Sequence, residues 1–290
     1  MRPQRYLRPA SLAEALQALG AANGRGRPLA GGTDLIVEIR EGRRAVETVV
    51  DLKAVPELVG VGFDPARGLR VGAATPCYQL AQHPVVRASY PALADVAGLI
   101  GGIQIQSRAS LGGNLCTASP AADSAPALIA LAATCVLAGP EGERRLPLEQ
   151  FFLGPRRTVL APTEVLVALE LPPPQPGAGS AYLRFIPRNE MDIAVVGVGA
   201  WLQLAGEEVV AARIGLGAVA PTPRFARAAS EALIGGPLTP ERVAAAAAAA
   251  QEASAPIDDL RGSARQRRHL VGVLTRRAVL LAAERAREQR

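Results

Sequence analysis

Two short glycine-paired stretches constrain this chain more than anything else in it: Ala30-Gly31-Gly32-Thr33-Asp34 and Ser110-Leu111-Gly112-Gly113-Asn114. Each reads as a loop joining an apolar, strand-like segment to a helical one. A Gly-Gly pair at such a junction leaves backbone N–H groups unshielded, so an electron-rich group can approach the main chain closely. A helix N-terminus adds unpaired donors and about half a positive charge, which suits a diphosphate. One such loop is common, and a tight turn that binds nothing explains it equally well. Two of them, about eighty residues apart and each carrying a hydroxyl residue, suggest one extended ligand gripped at two points.

A chain of 290 residues can bury a substantial core in two or three units. Hydrophobic residues at 49% and charged residues at 20% describe a globular protein rather than a disordered one. The net charge of +6 comes almost wholly from arginine, since Lys53 is the one lysine. Aromatic residues total only 3%, so base-stacking platforms and nucleic-acid binding are not expected. No apolar run is long enough for a membrane span, and the first six residues lack the apolar core of a secretory signal. Cys77, Cys116 and Cys135 are odd in number and free of any CxxC spacing, which points to a reducing cytoplasm and away from zinc or iron–sulfur ligation in this chain. His83 and His269 have no ligand partner at metal-binding spacing.

The predicted organisation falls into three parts. Ser11 and Glu14 form a capping box for a helix that ends at Gly20, and a β-α-β unit follows over residues 27–53. A hairpin is expected at 58–63 and 69–73, a helix capped by Thr75 at 76–82, another at 91–99, extended chain up to the second glycine stretch, and a helix starting at Ser119-Pro120. Strands follow at 135–138 and 144–146. The run Pro172-Pro173-Pro174-Gln175-Pro176-Gly177 reads as a linker. Beyond it come three antiparallel strands (182–186, 193–204, 209–219) and helices at 225–233, from Thr239-Pro240, and at 264–287. The arginines around His269 on the last helix read as a solvated face or a subunit contact. The expected units are residues 1–54, 55–172 and 178–290.

Several chemistries have no motif here. There is no G-x-G-x-x-G with a downstream acid, no G-x-x-x-x-G-K-[ST] and no nucleophile elbow. A chain that grips a ligand yet lacks an acid–base kit is often one whose cofactor performs the reaction. Around the second stretch, Cys116 to Asp123 is dominated by small residues, and Asn114 and Asp123 are placed to serve hydroxyl or ring-nitrogen partners. Cys116, with no charged or CxxC partner nearby, reads as a small packing residue.

The stretches Pro28-Leu29-Ala30-Gly31-Gly32-Thr33-Asp34-Leu35 and Ala109-Ser110-Leu111-Gly112-Gly113-Asn114-Leu115 resemble the two FAD-binding motifs of the medium, flavoprotein subunits of molybdenum hydroxylases. Val50-Asp51-Leu52, Pro120-Ala121-Ala122-Asp123, Asp192-Ile193-Ala194-Val195-Val196 and the segment from Arg267 to Arg277 extend the likeness over nearly the whole chain. The resemblance implies an α+β fold: a small N-terminal α/β unit and a mixed α+β subdomain that clamp FAD, followed by a C-terminal three-stranded antiparallel sheet with helices. It implies that Ala30, Gly31, Gly32, Thr33 and Asp34 hold the diphosphate, and that Ser110, Leu111, Gly112, Gly113 and Asn114 line the diphosphate and flavin side. Asp123 would lie near the ribityl or ring region and Asp192 near the isoalloxazine. It further implies an oxidoreductase subunit that passes electrons from a small [2Fe–2S] subunit through FAD to an external acceptor, beside a large molybdopterin-binding subunit, in a dimer of heterotrimers. Residues 105–108 depart from the family's usual pattern, while Ser110 keeps a hydroxyl where Thr is frequent; a cysteine-bearing insertion for an extra cluster is not seen. Two other readings stay open on the residues: a self-sufficient flavin oxidoreductase with its own small substrate, and a non-catalytic nucleotide-binding module.

Overall fold

The computed structural model describes residues 5–188 and 191–289; the first four residues and Arg290 of the expected units lie outside them. A three-stranded parallel sheet opens the chain. Strands β1 (Arg5–Leu7) and β2 (Gly26–Leu29) flank β3 (Thr48–Asp51), with helix α1 (Leu12–Ala21) leading into β2 and α2 (Leu35–Arg40) crossing from β2 to β3. Ser11 Oγ accepts the Glu14 N–H at 3.2 Å, while the Glu14 carboxylate accepts the N–H of Ala10, one residue before the cap. The β-α-β unit stands as expected.

A five-stranded antiparallel sheet follows. Strands β4 (Val61–Asp64) and β5 (Gly68–Gly72) form the expected hairpin. Six helices come next: α3 (Cys77–Gln82), α4 (Pro84–Ser89), α5 (Pro91–Leu99), α6 (Ile103–Gln106), α7 (Leu111–Thr117) and α8 (Ser124–Ala130). The chain returns through β6 (Thr134–Gly139) and β7 (Gly142–Pro147), a small hairpin of β8 (Phe152–Gly154) and β9 (Arg157–Thr158), and β10 (Val165–Leu171). The sheet order is β4-β5-β10-β6-β7. Its helical side holds the largest core cluster, with Leu80, Leu93, Leu115, Leu128 and Phe151 all buried.

Past the proline run, β11 (Ala178–Phe185), β12 (Val196–Ala205) and β13 (Glu208–Gly217) form a meander that closes at Gly206-Glu207. Short pieces β14 (Arg224–Phe225) and β15 (Gly236–Pro237) add to β13; helices α9 (Arg227–Glu231), α10 (Pro240–Glu252) and α11 (Ala264–Glu288) complete the chain. One face of this sheet packs on α11. A β-carbon at Gly179 would lie 2.1 Å from the Ala282 carbonyl, so backbone meets backbone there. The opposite face is thinned by Gly199, Gly215 and Gly217, each in contact with Pro126 of α8. Because side chains alternate along a strand, that same face carries Tyr182 and Arg184 toward the middle unit.

Four local expectations change. Thr75 does not cap α3: its hydroxyl exchanges hydrogen bonds with the N–H and C=O of Gly60, and Pro76 takes the cap position. The chain before the second glycine stretch is not extended but folds into α6, whose buried Gln106 donates to the carbonyls of Gly98 and Gly101. The helix expected from Ser119-Pro120 starts only at Ser124. Arg267, read as part of a solvated face, is buried and donates to the carbonyls of Val195 and Ala218 and to Asp259.

Candidate functional site

The two glycine stretches meet at one cleft of about 1040 Å³, beyond the roughly 300–1,000 Å³ of common small-molecule sites. They do so because Gly31 has no side chain: a β-carbon there would lie 2.6 Å from the Arg108 carbonyl and 2.8 Å from the Ala109 Cα. Gly112 serves the same end against Ala73, at 2.5 Å. Gly32 answers a different need, a left-handed backbone with φ of +78° at the turn into α2. The bare backbone at Gly31 and Gly112 therefore brings main chains together.

The two stretches differ in what they leave unpaired. The second is not a loop but the first turn of α7: Ser110 Oγ accepts from Gly113 N–H at 3.1 Å, Gly112 N–H donates to Ala73 O, and Asn114 N–H donates to Ser110 O. In the first, the N–H groups of Gly31, Gly32, Thr33 and Asp34 have no acceptor among the described residues. Backbone donors without partners are costly unless something else accepts from them. The Asp34 carboxylate accepts from Thr117 Oγ1 at 3.1 Å, a cross-tie from the first stretch to the end of α7. Asn114 Oδ1 accepts from the Ser124 hydroxyl at 2.6 Å and so joins α7 to α8. Leu111 is the exception, buried in the core and absent from the cleft wall.

Asp123 sits where the middle unit faces β11. Tyr182 Oη donates to its Oδ1 at 2.6 Å and an Arg184 amino group donates to its Oδ2 at 2.8 Å. Burial pushes the Asp123 carboxyl up from its ordinary value, and Arg184 and Tyr182 pull against that rise. The same burial, with the carboxylate beside it, sends the Tyr182 phenol well above its usual range. Asp192 accepts from the Ile193 N–H at 2.7 Å and pairs with Arg188 Nε at 3.5 Å; it lines the cleft together with Met191 and Ile193. Arg184 was not singled out from the sequence. The signal lay in strand periodicity, which puts residues 182 and 184 on one face of β11, the face turned toward Asp123 and the middle unit. Cys116, expected as a packing residue, is exposed and lines the cleft, whereas Cys77 and Cys135 are buried; desolvation pushes all three thiols up to about 12.

Comparison with known proteins places the chain in a family. The family model for the FAD binding domain in molybdopterin dehydrogenase matches residues 2–174, and that for the CO dehydrogenase flavoprotein C-terminal domain matches residues 181–282. The chain belongs to the family of FAD-binding, medium-chain subunits of molybdenum hydroxylases. It is 34% identical over 274 residues to the carbon monoxide dehydrogenase medium chain of Hydrogenophaga pseudoflava, covering 94% of this chain and 95% of that one. It is 32% identical over 275 residues to the xanthine dehydrogenase FAD-binding subunit of Escherichia coli O157:H7, covering 94% of each. A solved structure of carbon monoxide dehydrogenase from Hydrogenophaga pseudoflava superposes with a TM-score of 0.93 at 36% identity, over 98% of this chain and 99% of the other.

The protein is thus an oxidoreductase subunit whose cofactor is FAD, with the α+β architecture its sequence implied. Two features of the cleft fit that cofactor. The four unpaired N–H groups of the first stretch suit a diphosphate. Arg184, which lines the cleft and is almost wholly buried, has an Nε with no hydrogen-bond partner among the described residues, a donor that a polar group in the cleft would satisfy.

Proposed function

We propose that this chain is the electron-transfer member of a heteromeric molybdenum-dependent hydroxylase, in which the isoalloxazine of bound FAD supplies the redox step between [2Fe–2S] clusters on a small partner subunit and an external acceptor. The observation that carries the reading is a cleft rich in backbone donors whose two inner ionisable groups, Asp123 and Arg184, are already committed to each other. Gly31, Gly32, Thr33 and Asp34 would hold the diphosphate. Ser110, Gly112, Gly113 and Asn114 would form the wall beside it, and Asp123, Arg184 and Asp192 would meet the ribityl and ring portions. Leu111 would support the wall from within the core.

The relatives' names add support. Similar chains serve dehydrogenases named for carbon monoxide, nicotinate, glyceraldehyde and caffeine. A subunit shared by such unlike substrates is one that does not select them, and the partner with the molybdopterin would. The full assembly we infer is a dimer of heterotrimers, placed in the cytoplasm on the three unpaired cysteines. The test is reduction of the bound flavin. Substrate should bleach its visible absorption in the purified complex and leave it unchanged in the isolated FAD-loaded chain. Bleaching by small alcohols or amines in the isolated chain would instead support a self-sufficient oxidoreductase.

A further inference from the structure

At one end of the cleft an ion pair crosses between two units of the fold. Glu38 lies on α2 of the parallel-sheet unit and is buried at 7% exposure. Its carboxylate is shared by the Arg44 Nε, at 2.8 Å, and by the guanidinium of Arg156, which comes from the β8–β9 hairpin of the antiparallel unit. Glu38 and Arg156 both line the cleft, as do Leu153 and Arg157 of the same hairpin. The hairpin is held in place by more than this pair. Arg156 adopts a left-handed backbone, φ +61°, and its N–H donates at 2.8 Å to the carbonyl of Ala118, itself left-handed at φ +48°.

Arg27 lines the same end, tied to the carbonyls of Gly24 and Gly26. Together Arg27, Arg43, Arg44, Arg156 and Arg157 outnumber the lining carboxylates Asp34, Glu38 and Glu164, and Glu164 is already paired with Arg144. The Asp123–Tyr182–Arg184 group shares no hydrogen bond or ion pair with this set among the described residues. The two ends of the cleft are therefore chemically unlike: an arginine-rich end flanked by the hairpin, and an end where Asp123 pairs with Arg184 and Asp192 with Arg188, near Met191 and Ile193. A phosphate-bearing adenylate suits the first and a neutral ring system the second.

We propose that the Arg156–Glu38 pair is a strap that closes the cationic end over the adenylate half of FAD, and so makes the chain select the dinucleotide over a mononucleotide flavin. The strap rests on the assignment of FAD to this cleft. Arg156 acts by position: its guanidinium reaches from the already anchored hairpin to Glu38 of α2, and release of the adenylate half requires the pair to separate.

Arg156→Gly tests this without risk to the fold, because glycine accepts the left-handed backbone without strain. Arg156→Lys retains the cation. The full chain is stripped of flavin, and the affinity and release rate of FAD and of FMN are followed by flavin fluorescence. Arg156→Gly should release FAD at least about tenfold faster, Arg156→Lys should restore part of the loss, and FMN affinity should change by less than about twofold in both. Unchanged FAD release, or an equal loss of FAD and FMN, would overturn the strap while leaving the cofactor assignment intact. Wild-type protein that binds neither flavin would overturn both.

Discussion

Lys53 shows how a single residue carries information that its position in the sequence does not reveal. Its ammonium donates to the Ala74 carbonyl at 2.6 Å, and burial, with the Arg108 charge nearby, brings its pKa down to about 8. The folded state thus prefers the neutral amine between about 8 and the ordinary lysine value of 10.5, while the unfolded chain still binds the proton there. Stability rises with pH wherever the unfolded state holds more protons. Relative to Lys53→Met, the wild-type chain should therefore gain stability as pH is raised from 8 to 10.5, read from paired denaturant titrations. A difference between the two proteins that stays flat with pH would remove the desolvated amine. At this scale the sequence exposed the glycines but not their reasons. Gly31 and Gly112 sit where a local motif predicts ligand contact, yet their β-carbons are excluded by Arg108 and Ala73, residues that only the folded chain places there. Arg184 was hidden for the same reason: nothing local links it to Asp123, sixty-one residues earlier.

Elements were more legible, because helix caps and strand alternation are local. Ser11, Thr239 and Ser263 cap their helices through hydrogen bonds at the third residue on, and the β11–β12–β13 meander lies close to its expected bounds. The failures were where tertiary contacts recruit a residue away from its local role, as Gly60 does to Thr75. Nor did spacing show that the second glycine pair begins a helix, since glycine is a poor helix former and Ser110 reads equally as a turn residue. Glycines in strands proved to be points of close contact between elements. At Gly179, α11 approaches so closely that its Ala282 carbonyl occupies the place of a side chain. Gly179→Ala should cost about 3 kcal/mol in denaturant unfolding; a loss within experimental error would mean the helix does not seat there. Gly206, in the exposed turn with open space around it and φ of +63°, is the control for a conformational effect alone.

On the scale of the whole molecule, the three larger sheets are arranged so that one loop, the first turn of α7 and one strand face converge on a cleft. The parallel unit contributes unpaired backbone donors, the antiparallel unit contributes α7 and the hairpin, and the final sheet contributes Tyr182 and Arg184. Family membership establishes FAD as the cofactor; that it occupies this cleft is the claim on which the functional reading depends. Cys116 tests it most directly, being exposed on the cleft wall while Cys77 and Cys135 are buried. In flavin-free protein a thiol reagent should label Cys116 alone, and saturating FAD should slow that labelling at least about tenfold without new labelling elsewhere. Labelling of Cys116 at the same rate with and without bound FAD would contradict the account, placing the cofactor elsewhere on the chain.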